Sequence, residues 1–227
     1  MREWPPPSCD DTTCRLTCIE CFLALHCVAL LSDVFVIWAR ALADNKVRGF
    51  IVEKGTSGIS APAIKNKMML RASVTGSIFL DNVVVKTTDS LLPHHKPGLG
   101  APFECLNSAR YGISWGSIGA LEACISEARQ YALDRHQFKK PLASFQLIQK
   151  TIVDAHSAAA FGLLGSLQVG RLKDQGEWCP EMVSMVKRNN CGTALVHARR
   201  LLDICEHDFS LFDVLCCERA DFHFSAF

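Results

Sequence analysis

The sequence predicts an α+β protein in which a strand-rich segment is followed by an antiparallel helical bundle. Three observations carry this. Short runs of β-branched and aromatic residues, separated by polar turns, fill residues 32–90. The stretch from His94 to Pro102 places two prolines and two glycines within nine residues, which opposes any regular element. Beyond it, apolar residues recur at helical spacing.

In chain order, Val34-Phe35-Val36-Ile37-Trp38 and Gly49-Phe50-Ile51-Val52-Glu53 flank the polar turn Ala43-Asp44-Asn45-Lys46, so two antiparallel neighbours are expected. Ser77–Leu80 and Val83–Val85 then bracket Asp81-Asn82, with Gly55, Gly58 and Pro62 punctuating the approach. Past the Pro/Gly stretch, Ile113, Ser117, Leu121, Ile125 and Ala128 keep to one helical face, and that helix is expected to run to about Phe138. A second helix is predicted from Ser144 to Lys173, closed by Asp174-Gln175-Gly176. The third starts at Cys179-Pro180-Glu181, with proline in its first turn, and continues through Met182, Met185, Val186 and Leu195. Long helices joined by short turns imply an antiparallel bundle, with three of an expected four helices legible here. The chain is therefore divided into a segment 1–31, a central β domain 32–93, a bundle domain 94–205, and a tail 206–227 without periodicity.

With 227 residues and 49% hydrophobic content the chain has ample material for a core in one or two domains. Its 24 basic and 23 acidic side chains give no electrostatic reason to expect nucleic acid or an anionic membrane as partner. Of 12 cysteines, five lie in residues 1–27 and three in 205–227, leaving Cys105, Cys124, Cys179 and Cys191 too widely spaced for a zinc pattern. They read as ordinary thiols in a reducing compartment. The lone Cys18-x-x-Cys21 pair has no regular second pair, so no metal is expected. The apolar run Phe22–Leu31 is short of the ~20 residues a spanning helix needs, and a membrane partner is not expected. Arg2 and Arg15 are offset by Glu3, Asp10, Asp11 and Glu20, which is unlike a mitochondrial presequence.

The chemistry-bearing block is Asp134-Arg135-His136-Gln137-Phe138, followed by Pro141-Leu142 and Gln146. Taken singly, Arg135 reads as an end-of-helix cation or a partner of Asp134, Phe138 as a core aromatic and Gln146 as a surface amide. Asn107 and Arg110, three apart on one face, read alone as a helix-start amide and a surface arginine. Together with the Arg-x-Ser-x-Thr element at Arg71, Ser73 and Thr75, and with the stretches DVFVIWAR, VRGFIVEKG, LNSARYGISWG, PLASFQLIQK, GRLKDQ and PEMVSMVKRNNCGTAL, they change meaning. From about Ser32 to about Asp203 the sequence resembles the acyl-CoA dehydrogenase family. NSARYGISWG and VKRNNCG resemble its glutaryl-CoA branch.

The resemblance implies an N-terminal helical domain, a central β domain and a C-terminal four-helix bundle, assembled as a homotetramer in the mitochondrial matrix. It implies FAD as cofactor, an acyl-CoA substrate, glutaryl-CoA in this branch, and electron-transfer flavoprotein as partner. The implied reaction, in lysine and tryptophan degradation, removes an α proton to a carboxylate and a β hydride to the flavin, then decarboxylates the product to crotonyl-CoA. Arg135 would reach the FAD pyrophosphate, Phe138 would pack in the cofactor region and Gln146 would hydrogen-bond there. The segment Phe103, Glu104, Cys105, Leu106, Asn107, Ser108, Ala109 and Arg110 would line the acyl-CoA site. The family's catalytic glutamate lies in a Tyr-Glu-Gly-Thr-like motif after a Gly-Gly-Asn-Gly turn, and neither motif occurs in these 227 residues. No catalytic residue is therefore assigned, Glu104 included. The alternative expectation is a truncated, inactive member that serves as a CoA-binding or oligomerisation module.

Overall fold

The computed structural model describes residues 13–16, 26–27, 31–40, 46–67, 74–92 and 98–205. They fall in two compact units, Met1–Glu104 and Cys105–Phe227. Cys18 and Cys21, most of the apolar run before Leu31, Arg71, Ser73, His94–Pro97 and the tail from Glu206 lie outside the described residues.

The first unit is built from short antiparallel pairs. Strands β1 (Thr13–Leu16) and β2 (His26–Cys27) precede β3 (Val34–Arg40) and β4 (Val47–Glu53), which pair with Val34 opposite Glu53 and Arg40 opposite Val47. This is the hairpin the two β-branched runs predict. Side chains alternate as the pleat requires, Phe35 and Ile37 inward and Val34 and Val36 outward. Next come β5 (Ile59–Ser60), β6 (Thr75–Gly76), β7 (Phe79–Leu80) and β8 (Val83–Lys86), with β5 pairing β7. A single turn, α1 (Thr87–Ser90), closes the run. The core of Phe35, Ile37, Phe50, Val52, Ile78, Leu80, Val83 and Val85 holds these short pairs together. Each such side chain contributes roughly 1.5–3 kcal/mol by burial.

One expectation needs correction. The strand-rich segment was expected to begin at residue 32, yet β1 pairs along its length with β8, Thr13 opposite Lys86 and Leu16 opposite Val83, and β2 pairs with β6. A four-residue strand whose partner lies some seventy positions away carries no local signal; only the pairing reveals it.

The second unit is helical: α2 (Gly100–Asp134), which lies in it from Cys105 onward, α3 (Gln146–Gln175) and α4 (Pro180–Ile204). Gly176 ends α3 in the left-handed region at φ 76°, and the N–H of Glu177 donates to Leu172 O at 2.9 Å, which satisfies end carbonyls. Pro180 opens α4, and Glu181 sits in its first turn with its carboxyl held below the usual range by its own backbone N–H and by Cys179. The helix α2 stops at Asp134, four residues short of the expected Phe138. There the chain turns into a two-residue hairpin, β9 (His136–Gln137) against β10 (Lys140–Pro141), with Phe138 at φ 53° and Lys139 at φ 65°. Such turns usually announce themselves with Asn-Gly or Asp-Gly, and Phe-Lys gives no such warning.

Buried positions step by threes and fours: Ser114, Ser117, Leu121, Cys124 and Ala128 on α2, Ala155, Ala159, Gly162, Ser166 and Val169 on α3. On α4 the buried row is Val183, Val186, Lys187, Asn190, Ala194, Ala198 and Leu201, while Met185 is exposed. Small residues on α3 let the backbones approach: a Cβ on Gly162 would lie 2.5 Å from Ile118 Cδ1 and 2.8 Å from Asn190 Oδ1.

At this approach sits a polar node. Asn190, 1% exposed, directs Nδ2 at Ser114 O (3.1 Å), Gly162 O (3.2 Å) and Ser166 Oγ (3.0 Å). Ser114 Oγ donates to Tyr111 O at 2.7 Å, so Ser166 Oγ is the donor in the 3.2 Å contact between the two hydroxyls. All three helices meet through this one amide. The opposite face of α3 is apolar yet exposed, through Leu147, Val153, Phe161 and Leu164.

Candidate functional site

Two groups of side chains on the helices and their connections have the character of a binding site. The first is the N-terminal part of α2. Because α2 begins at Gly100, Phe103, Glu104, Cys105, Leu106, Ser108 and Ala109 stand exposed along its early turns, while Asn107 is 7% exposed and Arg110 half-buried. The spacing of three puts the last two in contact, and Arg110 Nη1 donates to Asn107 Oδ1 at 3.2 Å. The amide thereby fixes one edge of the guanidinium. Across from it on α4 lies Lys187, only 5% exposed. Burial depresses its ammonium's pKa, the nearby Cys191 pulls the other way, and the positive charge of Arg110 lowers it further. Positive charge is thus concentrated beside the α2 segment. Sequence reading missed Lys187, because a lysine at a core phase looks like any surface cation.

A satellite cluster adjoins it. Tyr111 meets Trp115 edge-on with ring centroids 6.3 Å apart, and Lys173 Nζ lies 5.6 Å from the Tyr111 ring and 5.5 Å from the Trp178 ring. This ties the start of α2 to the end of α3.

The second group surrounds the β9–β10 hairpin. Arg135, Phe138 and Gln146 are all exposed, Phe138 by 84%. The backbone draws them to one junction, since Leu142 N–H donates to Arg135 O at 2.9 Å and Gln146 opens α3. Phe138 rests edge-on against Phe145 at 6.1 Å, and Lys140 Nζ stands 4.3 Å from the Phe145 ring. A guanidinium, an open aromatic ring, an ammonium and an amide are thus all exposed along the short stretch that joins the end of α2 to the start of α3. Phe138 is not the core aromatic that its type alone suggests.

Residues 96–205 match the family described as acyl-CoA dehydrogenase, C-terminal domain. This part of the chain belongs to the acyl-CoA dehydrogenase family. The dehydrogenase fold extends over most of the chain: two crystal structures of glutaryl-CoA dehydrogenase from Mycobacterium smegmatis, one in complex with FADH2, superpose with a TM-score of 0.86 each at 34% and 29% identity, covering 97% of this chain and 56% of theirs. A probable short/branched chain specific acyl-CoA dehydrogenase of Dictyostelium discoideum is 33% identical over 148 residues, 64% of this chain and 36% of that protein. The chain thus spans little more than a third of that relative and just over half of the two crystallised enzymes.

Within the dehydrogenase domain the two groups lie at separate places, the acyl-side segment on the first turns of α2 and the hairpin group after its last. Cys105, Cys124, Cys179 and Cys191 are in no disulfide, and among the described residues no group of three or more His, Cys, Asp or Glu could hold a metal ion.

Proposed function

We propose that this chain is part of an FAD-dependent acyl-CoA dehydrogenase of the glutaryl-CoA type, and that the hairpin corner holds the flavin dinucleotide. The observation that carries this is the exposed trio Arg135, Phe138 and Gln146, gathered by the β9–β10 turn in a domain of this family. Their chemistry fits the group. A planar guanidinium makes paired hydrogen bonds to a pyrophosphate, an open ring packs on a flat heterocycle, and an amide both donates and accepts. FADH2 is bound by the M. smegmatis enzyme. When bound, FAD supplies a two-electron acceptor, and the protein supplies orientation and electrostatics.

On the acyl side, the segment Phe103–Arg110 faces the thioester. Arg110, held by Asn107 and reinforced by the charge of Lys187, meets a phosphate of CoA or the terminal carboxylate of a dicarboxylic acyl group. Glutaryl-CoA as the substrate is supported by NSARYGISWG and VKRNNCG and by the M. smegmatis likeness, against the branched-chain name of the Dictyostelium relative. The exposed large apolar side chains of α3 support assembly with further copies of the chain, since exposed apolar surface favours association. Electron-transfer flavoprotein as oxidant and the mitochondrial matrix as location complete the proposal.

FAD titration of the purified chain tests it. Arg135→Ala should weaken FAD binding by roughly tenfold or more without altering the melting temperature. An unchanged affinity would sink the cofactor assignment. The second reading is a CoA-binding or oligomerisation module, for which the Asn107–Arg110 pair would supply the contact to CoA. A positioned acid–base group is worth about 10²–10⁴-fold in rate, so anaerobic mixing of this chain, FAD and glutaryl-CoA should leave the flavin oxidised. Bleaching abolished by Glu104→Gln would instead assign the proton to that local carboxylate.

A further inference from the structure

His197 lies on α4 on the side where α3 packs. Its ring is half-buried, and Nδ1 is sealed from solvent without a hydrogen-bond partner. The charged groups that act on it are Asp154 from α3, itself bonded to Lys150 Nζ at 2.5 Å, and Arg200 one turn further along α4. None of these belongs to the hairpin corner or the acyl-side segment.

A neutral imidazole tolerates this setting in one of its two tautomers. With the proton on Nε2, Nδ1 is an unfilled acceptor, a modest cost. In the imidazolium both nitrogens carry a hydrogen, so a charged N–H must sit on a dry atom with nothing to receive it. We propose that His197 makes the α3–α4 contact a pH-sensitive seam, tight while the ring is neutral and loosened when mild acid protonates it.

Three influences compete, and their balance has a definite sign. Desolvation of the ring is the largest and opposes the charged form; Arg200 opposes it as well; Asp154 favours it but is outweighed. The folded-state pKa is therefore below the ordinary value of about 6.5. For a histidine depressed in this way, the unfolded chain takes up the proton first. The stabilisation is complete above the unfolded value and is lost as pH falls through that value towards the folded one. Asp154, whose own pKa is lowered chiefly by its hydrogen bond from Lys150, stays ionised throughout that window. The transition therefore belongs to the imidazole, and acid loss of carboxylates comes at lower pH.

The test uses the full chain. Proton NMR of its eight histidines should show one ring, absent in His197→Gln, titrating with a midpoint below about 6.5. Asp154→Asn, an exposed change, should push that midpoint lower still. Between about pH 7.5 and about pH 5.5, the window in which histidine changes charge, the wild type should lose more melting temperature than His197→Gln or His197→Leu. A midpoint at or above the ordinary value, parallel melting losses in wild type and variants, or a midpoint indifferent to Asp154→Asn would each overturn the proposal. Should both substituted chains fail to fold, the Asp154→Asn shift decides alone.

Discussion

The Asn190 node and the Arg135–Phe138 corner both belong to the helical unit, and they are built in opposite ways. In the node every donor finds an acceptor within the protein: the amide reaches two carbonyls and a hydroxyl, and the hydroxyls close on each other and on Tyr111 O. At the corner the guanidinium, the ring and the amide reach solvent. Inside, an unmatched polar group is costly, so the interior cluster is complete without a ligand. Outside, water relieves that demand, so exposed polar groups need no such closure within the protein. A saturated interior cluster sets geometry; an exposed one is accessible to a ligand.

The largest effect that bears on this contrast is expected at the node. Asn190→Ala removes the bridging amide and the bonds that Ser114 O, Gly162 O and Ser166 Oγ accept from it, which should cost about 2–3 kcal/mol of stability in chemical denaturation. If FAD affinity fell by a similar free energy while stability held, the two clusters would not be separate devices. Conversely, Phe138→Ser, together with Arg135→Ala, should reduce FAD binding by about 2 kcal/mol and leave the denaturation midpoint where it was. A loss of stability there would make the corner part of the core. Gly162→Ala sharpens the contrast from the packing side. The added methyl meets Ile118 Cδ1 and Asn190 Oδ1, and overpacking of about 1–2 kcal/mol is expected in the same melt. The smallest change is Lys173→Met, which keeps the stem but removes the cation from the Tyr111 and Trp178 rings, for about 0.5–1 kcal/mol.

What could be read from the chain follows the same line between local and distant causes. The β3–β4 hairpin, the Gly176 stop and the Pro180 start are dictated by residues within a few positions of one another, and the sequence predicts them. By contrast, β1 exists because Val83–Lys86 offers it an edge, a fact absent from Thr13–Leu16 themselves. The corner residues were recognisable as a group only through a family pattern, since Arg135, Phe138 and Gln146 have bland individual readings. Even then the turn that gathers them stayed hidden, because the Phe-Lys pair at its centre is a poor sequence signal for positive φ. The node was invisible for another reason. Asn189-Asn190 looks like polar helix surface, and only the close approach at Gly162 turns the second of the pair into the centre of a three-helix contact.

That Phe-Lys turn has a consequence for how the domain can be engineered. An L-residue held in the left-handed region carries a penalty of about 1–2 kcal/mol that glycine escapes. Two such residues in succession mark the hairpin as a place where thermal robustness and ligand recognition are in conflict. Lys139→Gly should raise the melting temperature, and Phe138→Gly should do so at the expense of the ring offered to the flavin. A stabilisation campaign guided by melting temperature alone would therefore favour glycine here and select, unknowingly, for a tougher bundle with an emptier corner.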